Sequence, residues 1–283
     1  RPHSQAVAAS SGAKGMMPFA RPFLDYSLSV LADAGIHEAV LVIGPEHQEM
    51  RRYFETSAAG RRVTLRFAVQ AEPRGTADAV LSAQDAVRDA PFLVLNSDNL
   101  YPESACRAAA AIGGCGLVAF EAAALVALGG IEAERVLRFA LVDVDDTGGL
   151  RTIREKPDAD DPLARRAERW VSMNLWSFTP AIFSACARVL PSPRGELELQ
   201  DAVMIAMRAS GERFRVVEAR AGVRTTYHVV GTLLPDARRG IEAAGHGLGF
   251  HSYDHGAGPD QLGRCRQVDY RLRGYRVPRS RLT

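Results

Sequence analysis

Residues 91–99 read Pro-Phe-Leu-Val-Leu-Asn-Ser-Asp-Asn, an unbroken apolar run that stops abruptly at a small polar cluster holding one carboxylate. A run this short and without alternation predicts a strand buried on both faces, as in a parallel sheet lying under helices. Ligands of open α/β sheets gather at the carboxyl ends of such strands, so Asp98 stands where a metal or a polar substrate is expected. The alternative is purely structural: Asp98 caps the helix that Pro102 helps to start.

The flanking chain extends the pattern. Helical spacing of Leu24, Leu28, Leu31 and Ala32 ends at Gly35, a residue suited to the left-handed turn after a helix. Strands are predicted at 38–43 and 63–69, with a helix over 46–58 between them. Gln70, Pro73 and Gly75 interrupt the chain before a helix over 76–87. Strand, helix, strand, helix, strand at short spacing predicts an α/β fold, doubly wound, with a mostly parallel, Rossmann-like sheet.

Hairpins interrupt the second half. Segments 136–144 and 150–155 flank Asp145-Asp146-Thr147-Gly148-Gly149, a turn cluster between two strands. Further elements are a strand at 171–178, a helix from Pro180 toward Val189, a helix over 198–209 and a strand at 214–219. Hairpins inside an α/β pattern are expected to fold over the site. The predicted domain covers 13–240. The stretch 241–283, rich in Gly and Arg with few aliphatics, is expected to be irregular or poorly ordered.

Composition narrows the function. The chain has 283 residues, 47% of them hydrophobic, enough for a sizeable core. With 24% charged residues and a net charge of +2, it is too balanced for nucleic acid or a membrane surface to be its partner. No apolar run reaches membrane-spanning length. Four scattered cysteines lack metal-ligand spacing and read as reduced thiols of a cytoplasmic protein. Only two of the 35 basic residues are lysines, Lys14 and Lys156. Lysine presents a compact ammonium that the arginine fork does not reproduce, so both positions are candidates for a specific contact.

Several pieces in one order resemble the sugar-1-phosphate nucleotidyltransferases, of the glucose-1-phosphate thymidylyltransferase and UTP–glucose-1-phosphate uridylyltransferase type. Ala13-Lys14-Gly15-Met16-Met17-Pro18 resembles an element whose lysine touches the triphosphate. Gln70 with Gly75-Thr76-Ala77 resembles a loop whose glutamine reads the pyrimidine base and whose glycine lets the backbone approach. Ser97-Asp98-Asn99 resembles a motif whose aspartate holds Mg²⁺. Glu155-Lys156-Pro157 resembles one that places the glutamate on sugar hydroxyls and the lysine on the sugar phosphate. Met173-Asn174 matches the strand lining the sugar pocket, and Glu198 and Asp201 fall on a supporting helix motif.

The resemblance implies a nucleoside triphosphate and a sugar-1-phosphate as substrates, Mg²⁺ as cofactor and a possible homo-oligomer. Lys14, Asp98 and Lys156 then carry catalysis, and Gln70, Gly75, Thr76, Ala140, Glu155, Met173 and Asn174 bind substrate. An anionic nucleophile needs no strong general base, so positioning and charge neutralisation dominate. Three departures stand out. The strand and Gly-rich phosphate loop that open the family pattern are absent before Lys14, as though the chain were truncated at its start. Val229 stands two residues before Gly231-Thr232, where a second metal carboxylate is expected, and Ala140 replaces a glycine facing the sugar. The alternatives are a non-catalytic nucleotide- or sugar-binding relative and a glycosyltransferase with a similar sheet.

Overall fold

The computed structural model describes residues 22–56, 62–87, 89–136, 139–229 and 247–250, side chains excepted at 210, 224–229 and 247–250. Lys14, Gly231 and Thr232, with most of the stretch beyond 240, lie outside the described residues. The first half follows the sequence pattern closely. Helix α1 (Phe23–Asp33) buries Leu24, Leu28, Leu31 and Ala32. Gly35, at φ 86, turns the chain so that Ile36 N–H bonds back to Leu31 O at 2.9 Å. Strand β1 (Glu38–Ile43), α2 (Gln48–Thr56), β2 (Thr64–Val69) and α3 (Thr76–Ser82) follow, then β3 (Phe92–Leu95), the short β4 (Asn99–Leu100) and α4 (Glu103–Ala110).

The second half contains β5 (Gly116–Glu121), α5 (Ala122–Ala127), α6 (Ala133–Val136), β6 (Ala140–Val144), β7 (Leu150–Arg154) and β8 (Trp170–Phe178). It continues with α7 (Ile182–Cys186), α8 (Leu199–Ser210), β9 (Arg215–Ala219), β10 (Arg224–Val229) and β11 (Gly247–Phe250). The hairpin forms as predicted, β6 antiparallel to β7. Asp145 closes its turn by accepting from Thr147 N–H and Gly149 N–H, both at 2.8 Å.

The main sheet runs β7-β6-β8-β5-β9, with β3 also paired to β8. Strand β8 is antiparallel to β3, β5 and β6, whereas β5 and β9 are parallel. Strands β3, β5, β6 and β9 therefore all point one way, and β8 and β7 run against them. Strands β1 and β2 form a separate parallel pair. Cores lie on both faces, the doubly wound arrangement. On β5, Val118 and Phe120 join a cluster with α1, α2 and α4, while Leu117 and Ala119 join one with α3, α7 and α8.

Three expectations need correction. Strand β3 is half-buried along its length rather than buried on both faces. Among the described residues it pairs only with β8, and β1 only with β2, so each keeps one edge without a described strand. The segment expected to be a strand from 136 begins as helix α6, and β6 starts at Ala140. Within the tail expected to be irregular, Gly247–Phe250 forms a strand parallel to β10.

Candidate active-site cleft

Strand β8 creates the site by changing partners. One of its edges bonds to β6 through residues 170–172, then to β3 through residues 175–178. At the changeover, two steps along β5 (Leu117 to Ala119) match four along β8 (Trp176 to Ser172), so β8 bulges around Met173 and Asn174. Asn174 adopts φ 59, in the left-handed region. A crevice where strands change partner at a sheet is a preferred ligand position.

A cleft of about 480 Å³ opens there. Ala140, Glu155, Lys156 and Asn174 line it, arriving from β6, the end of β7 and the β8 bulge. Lys156, at φ 43, and Asn174 are the only non-glycine residues with positive φ among the described residues, and both stand in this cleft. Strained backbone of this kind persists where surrounding structure holds it, and it clusters at functional sites. Sequence reasoning missed Phe139, Ser172 and Gln200, as well as Glu132, Glu134 and Arg135 around α6.

The Asn174 side chain is locked. Its Oδ1 accepts from the Trp176 indole N–H at 3.4 Å and from Gln200 Nε2 at 3.3 Å. An indole N–H only donates, which fixes the amide orientation and turns Nδ2 the other way. Gln200 is buried, and its Oε1 has no hydrogen-bond partner among the described residues. Glu155 is exposed at the cleft mouth, yet partial desolvation of its carboxylate, reinforced by repulsion from Glu198, raises its pKa above the ordinary carboxylate value. Lys156 and Arg194 partly offset that rise.

The other expected residues lie outside the lining of this cleft. Gln70 Nε2 donates to Gly75 O at 3.1 Å and to Asp78 Oδ2 at 2.9 Å, and Arg74 pairs with the same carboxylate at 2.5 Å. Gly75 has φ 129, and a Cβ there would meet the backbone N and O of Leu197 at 2.5 Å. Glycine is thus required by the close passage of Leu197, a structural reason where an approach to ligand was expected. Thr76 Oγ1 accepts from Leu199 N–H at 2.9 Å, capping the start of α8. Met173 is buried, its carbonyl taken by Tyr101 and Asn99. Asp98 is half-buried in the turn after β3, at the carboxyl end of that strand as expected. Val229 ends β10, with no carboxylate at that position.

A doubly wound sheet with a polar cleft at a change of strand partner defines an α/β domain of the Rossmann-like class. The nucleotidyl transferase family profile matches residues 9–221, and the chain belongs to that family. It is similar to the low-salt glycan biosynthesis nucleotidyltransferase Agl11 of Haloferax volcanii, with 33% identity over 68% of this chain and 51% of that protein. The UTP–glucose-1-phosphate uridylyltransferase AglF of the same organism is 28% identical over 69% of this chain and 75% of its own length. A glucose-1-phosphate thymidylyltransferase of Xanthomonas campestris is 28% identical over 66% of this chain and 60% of its own. The match therefore spans about half of Agl11 and 60% of the thymidylyltransferase. A crystal structure of UDP-glucose pyrophosphorylase complexed with UDP-glucose shares the fold, at TM-score 0.61 and 18% identity, covering 82% of this chain and 89% of that one.

Proposed function

We propose that the protein transfers a nucleotidyl group from a nucleoside triphosphate to a sugar-1-phosphate. A phosphate oxygen of the sugar-1-phosphate attacks the α-phosphorus, the bond to the β-phosphate breaks, and pyrophosphate leaves. The observation that carries this reading is the convergence of Glu155, Lys156 and Asn174 on one cleft, two of them on strained backbone, in a chain of this family. Lys156 neutralises the attacking phosphate. Glu155 accepts from sugar hydroxyls, Asn174 Nδ2 donates to one, and the Ala140 methyl narrows the wall. Met173 shapes the strand behind them, and Lys14 holds the triphosphate.

Gln70 reads the base. With its NH₂ engaged by Gly75 and Asp78, its oxygen is left to accept, which matches the N3–H of uracil or thymine and not the bare N3 of cytosine. Gly75 and Thr76 shape the loop that presents it. A single hard oxygen donor, the half-buried Asp98 carboxylate, suits Mg²⁺, which takes one or two carboxylates together with substrate phosphates. The ion would supply charge neutralisation on the triphosphate. No helix among the described residues is long and apolar enough to cross a membrane. A reaction in the cytoplasm agrees with the free, buried Cys106, Cys115 and Cys186.

The test is pyrophosphate release from UTP, dTTP, CTP and ATP with a panel of sugar-1-phosphates. UTP and dTTP are expected to lead. Lys156→Arg should raise the KM for the sugar phosphate roughly tenfold or more, because the planar fork does not reproduce the ammonium. Release with no dependence on the sugar phosphate, or none with any pair, rejects this reading.

A further inference from the structure

The Asp98 turn and the β8 bulge come from distant parts of the chain, yet one phenol joins them. Tyr101 is buried, and its hydroxyl donates to Met173 O at 2.6 Å, with Asn174 O at 3.4 Å. The same oxygen accepts from Asn99 Nδ2 at 3.1 Å and from Asn96 N–H at 3.4 Å. Asn99 Nδ2 also reaches Met173 O at 3.2 Å. Two residues flanking the Asp98 turn and both carbonyls of the bulge therefore meet at one oxygen.

The reason lies in the bulge. Where β8 changes partner, the carbonyls of Met173 and Asn174 fall outside the regular ladder, and a buried carbonyl needs a donor. Tyr101 supplies it. Desolvation raises the phenol's pKa above its ordinary value, so the group keeps its proton and stays a donor. The ring is seated beside Phe120, centroids 6.3 Å apart, which limits its movement. The turn is tied on its other side as well, by Ser27 Oγ donating to Asn99 O at 3.4 Å.

We propose that Tyr101 is a positioning residue that holds the Asp98 turn against the Met173–Asn174 bulge, and so aligns the triphosphate side of the site with the sugar side. The proposal rests on the nucleotidyl-transfer reading. Asp98 and Asn174 bind different substrates in that reading, and in-line attack requires both at one fixed separation. Each substrate can bind its own half without the tie, but the reacting atoms then no longer line up. Misplacement by about 1 Å can cost a hundredfold in rate.

The test is Tyr101→Phe in the full-length protein, which keeps the ring in the core and removes only the hydroxyl. We expect kcat to fall roughly 10- to 100-fold. Dissociation constants for the triphosphate and the sugar phosphate, measured separately by calorimetry, should stay near native. Phe54→Leu, in the core far along the chain from both turns, controls for lost stability and should keep native kcat. Should Tyr101→Phe fail to fold, Asn99→Ala removes the second donor to Met173 O and should show the same split. Native kcat in the variant, or an equal fall in Phe54→Leu, overturns the proposal. A native protein that forms no nucleotide sugar fails the nucleotidyl-transfer reading, and this proposal with it, before any substitution is made.

Discussion

Thr76 and Leu199 are joined by one hydrogen bond, Leu199 N–H to Thr76 Oγ1 at 2.9 Å, across 123 residues of chain. Two backbone bonds run beside it, Ala77 N–H to Leu197 O at 2.8 Å and Leu197 N–H to Arg74 O at 2.7 Å. The loop carrying Gln70 is thus stitched to the segment that leads into α8, and Gly75 lets the two backbones pass.

Gly75→Ala is expected to destabilise by about 3 kcal/mol or more, since it adds both a left-handed alanine and a clash with Leu197. Thr76→Val should cost about 1 kcal/mol, the worth of a lost cap, and Thr76→Ser little. Urea unfolding measures both. A Gly75→Ala protein as stable as the native one would show that the backbones do not pass this closely.

Asn174 separates backbone from side chain. Asn174→Gly relieves the left-handed strain while giving up the contacts with Trp176 and Gln200. Asn174→Ala gives up the contacts and keeps the strain, so it should be less stable than Asn174→Gly by about 1 kcal/mol. Both should raise the KM for the sugar phosphate. Equal stability of the two variants in urea would contradict a left-handed residue here.

Glu155 predicts a pH dependence. Its folded pKa is raised, chiefly by desolvation, so between the ordinary and the raised value the native state binds more protons than the unfolded one. Stability therefore falls as pH rises through that window, and ionised Glu155 opposes folding at neutral pH. Glu155 is exposed and solvent screens its charge, so Glu155→Gln should raise Tm only slightly at neutral pH, leave it unchanged in acid where both side chains are neutral, and lose sugar-phosphate binding. A Tm gain that persists in acid would point to another cause.

The strands before Asp98 were legible because short apolar runs ended by Gly, Pro or Asn leave few alternatives. Strand β1 matches its expected span. The turn Asp145-Asp146-Thr147-Gly148-Gly149 likewise encoded its hairpin, through the Asp145 carboxylate that closes it. Lys156 and Asn174 were found by motif, but their strain was not, since nothing in the letters reveals that β8 bulges as it changes partner. The structural reason for Gly75 was hidden for the same cause: it depends on Leu197, which only the fold brings near. Gln200 lay between two residues already noted, but at about 100° per residue it falls off the stripe of Leu199, Ala202 and Val203, so helical phase gave no signal for its burial. The half-exposed β3 departs from its apolar run because burial depends on neighbouring strands, not on the run itself. Strand β11 was missed because Gly247-Leu248-Gly249-Phe250 has little β propensity and is held by its pairing with β10.

The division of β8 between two partners makes the molecule modular. The hairpin pairs with β8 through Ala140–Ser172, Leu141–Val171 and Val142–Trp170, and its turn is bonded to the start of β9, Leu150 N–H to Phe214 O at 2.8 Å and Val216 N–H to Gly148 O at 2.9 Å, while the strand leading to Asp98 uses residues 175–178 of β8. A grafted hairpin must reproduce those pairings and the bonds of its turn to residues 214–216 to seat itself on the sheet. Pocket shape on one side of the seam can thus be exchanged by recombination while the carboxylate on the other side keeps its own anchorage.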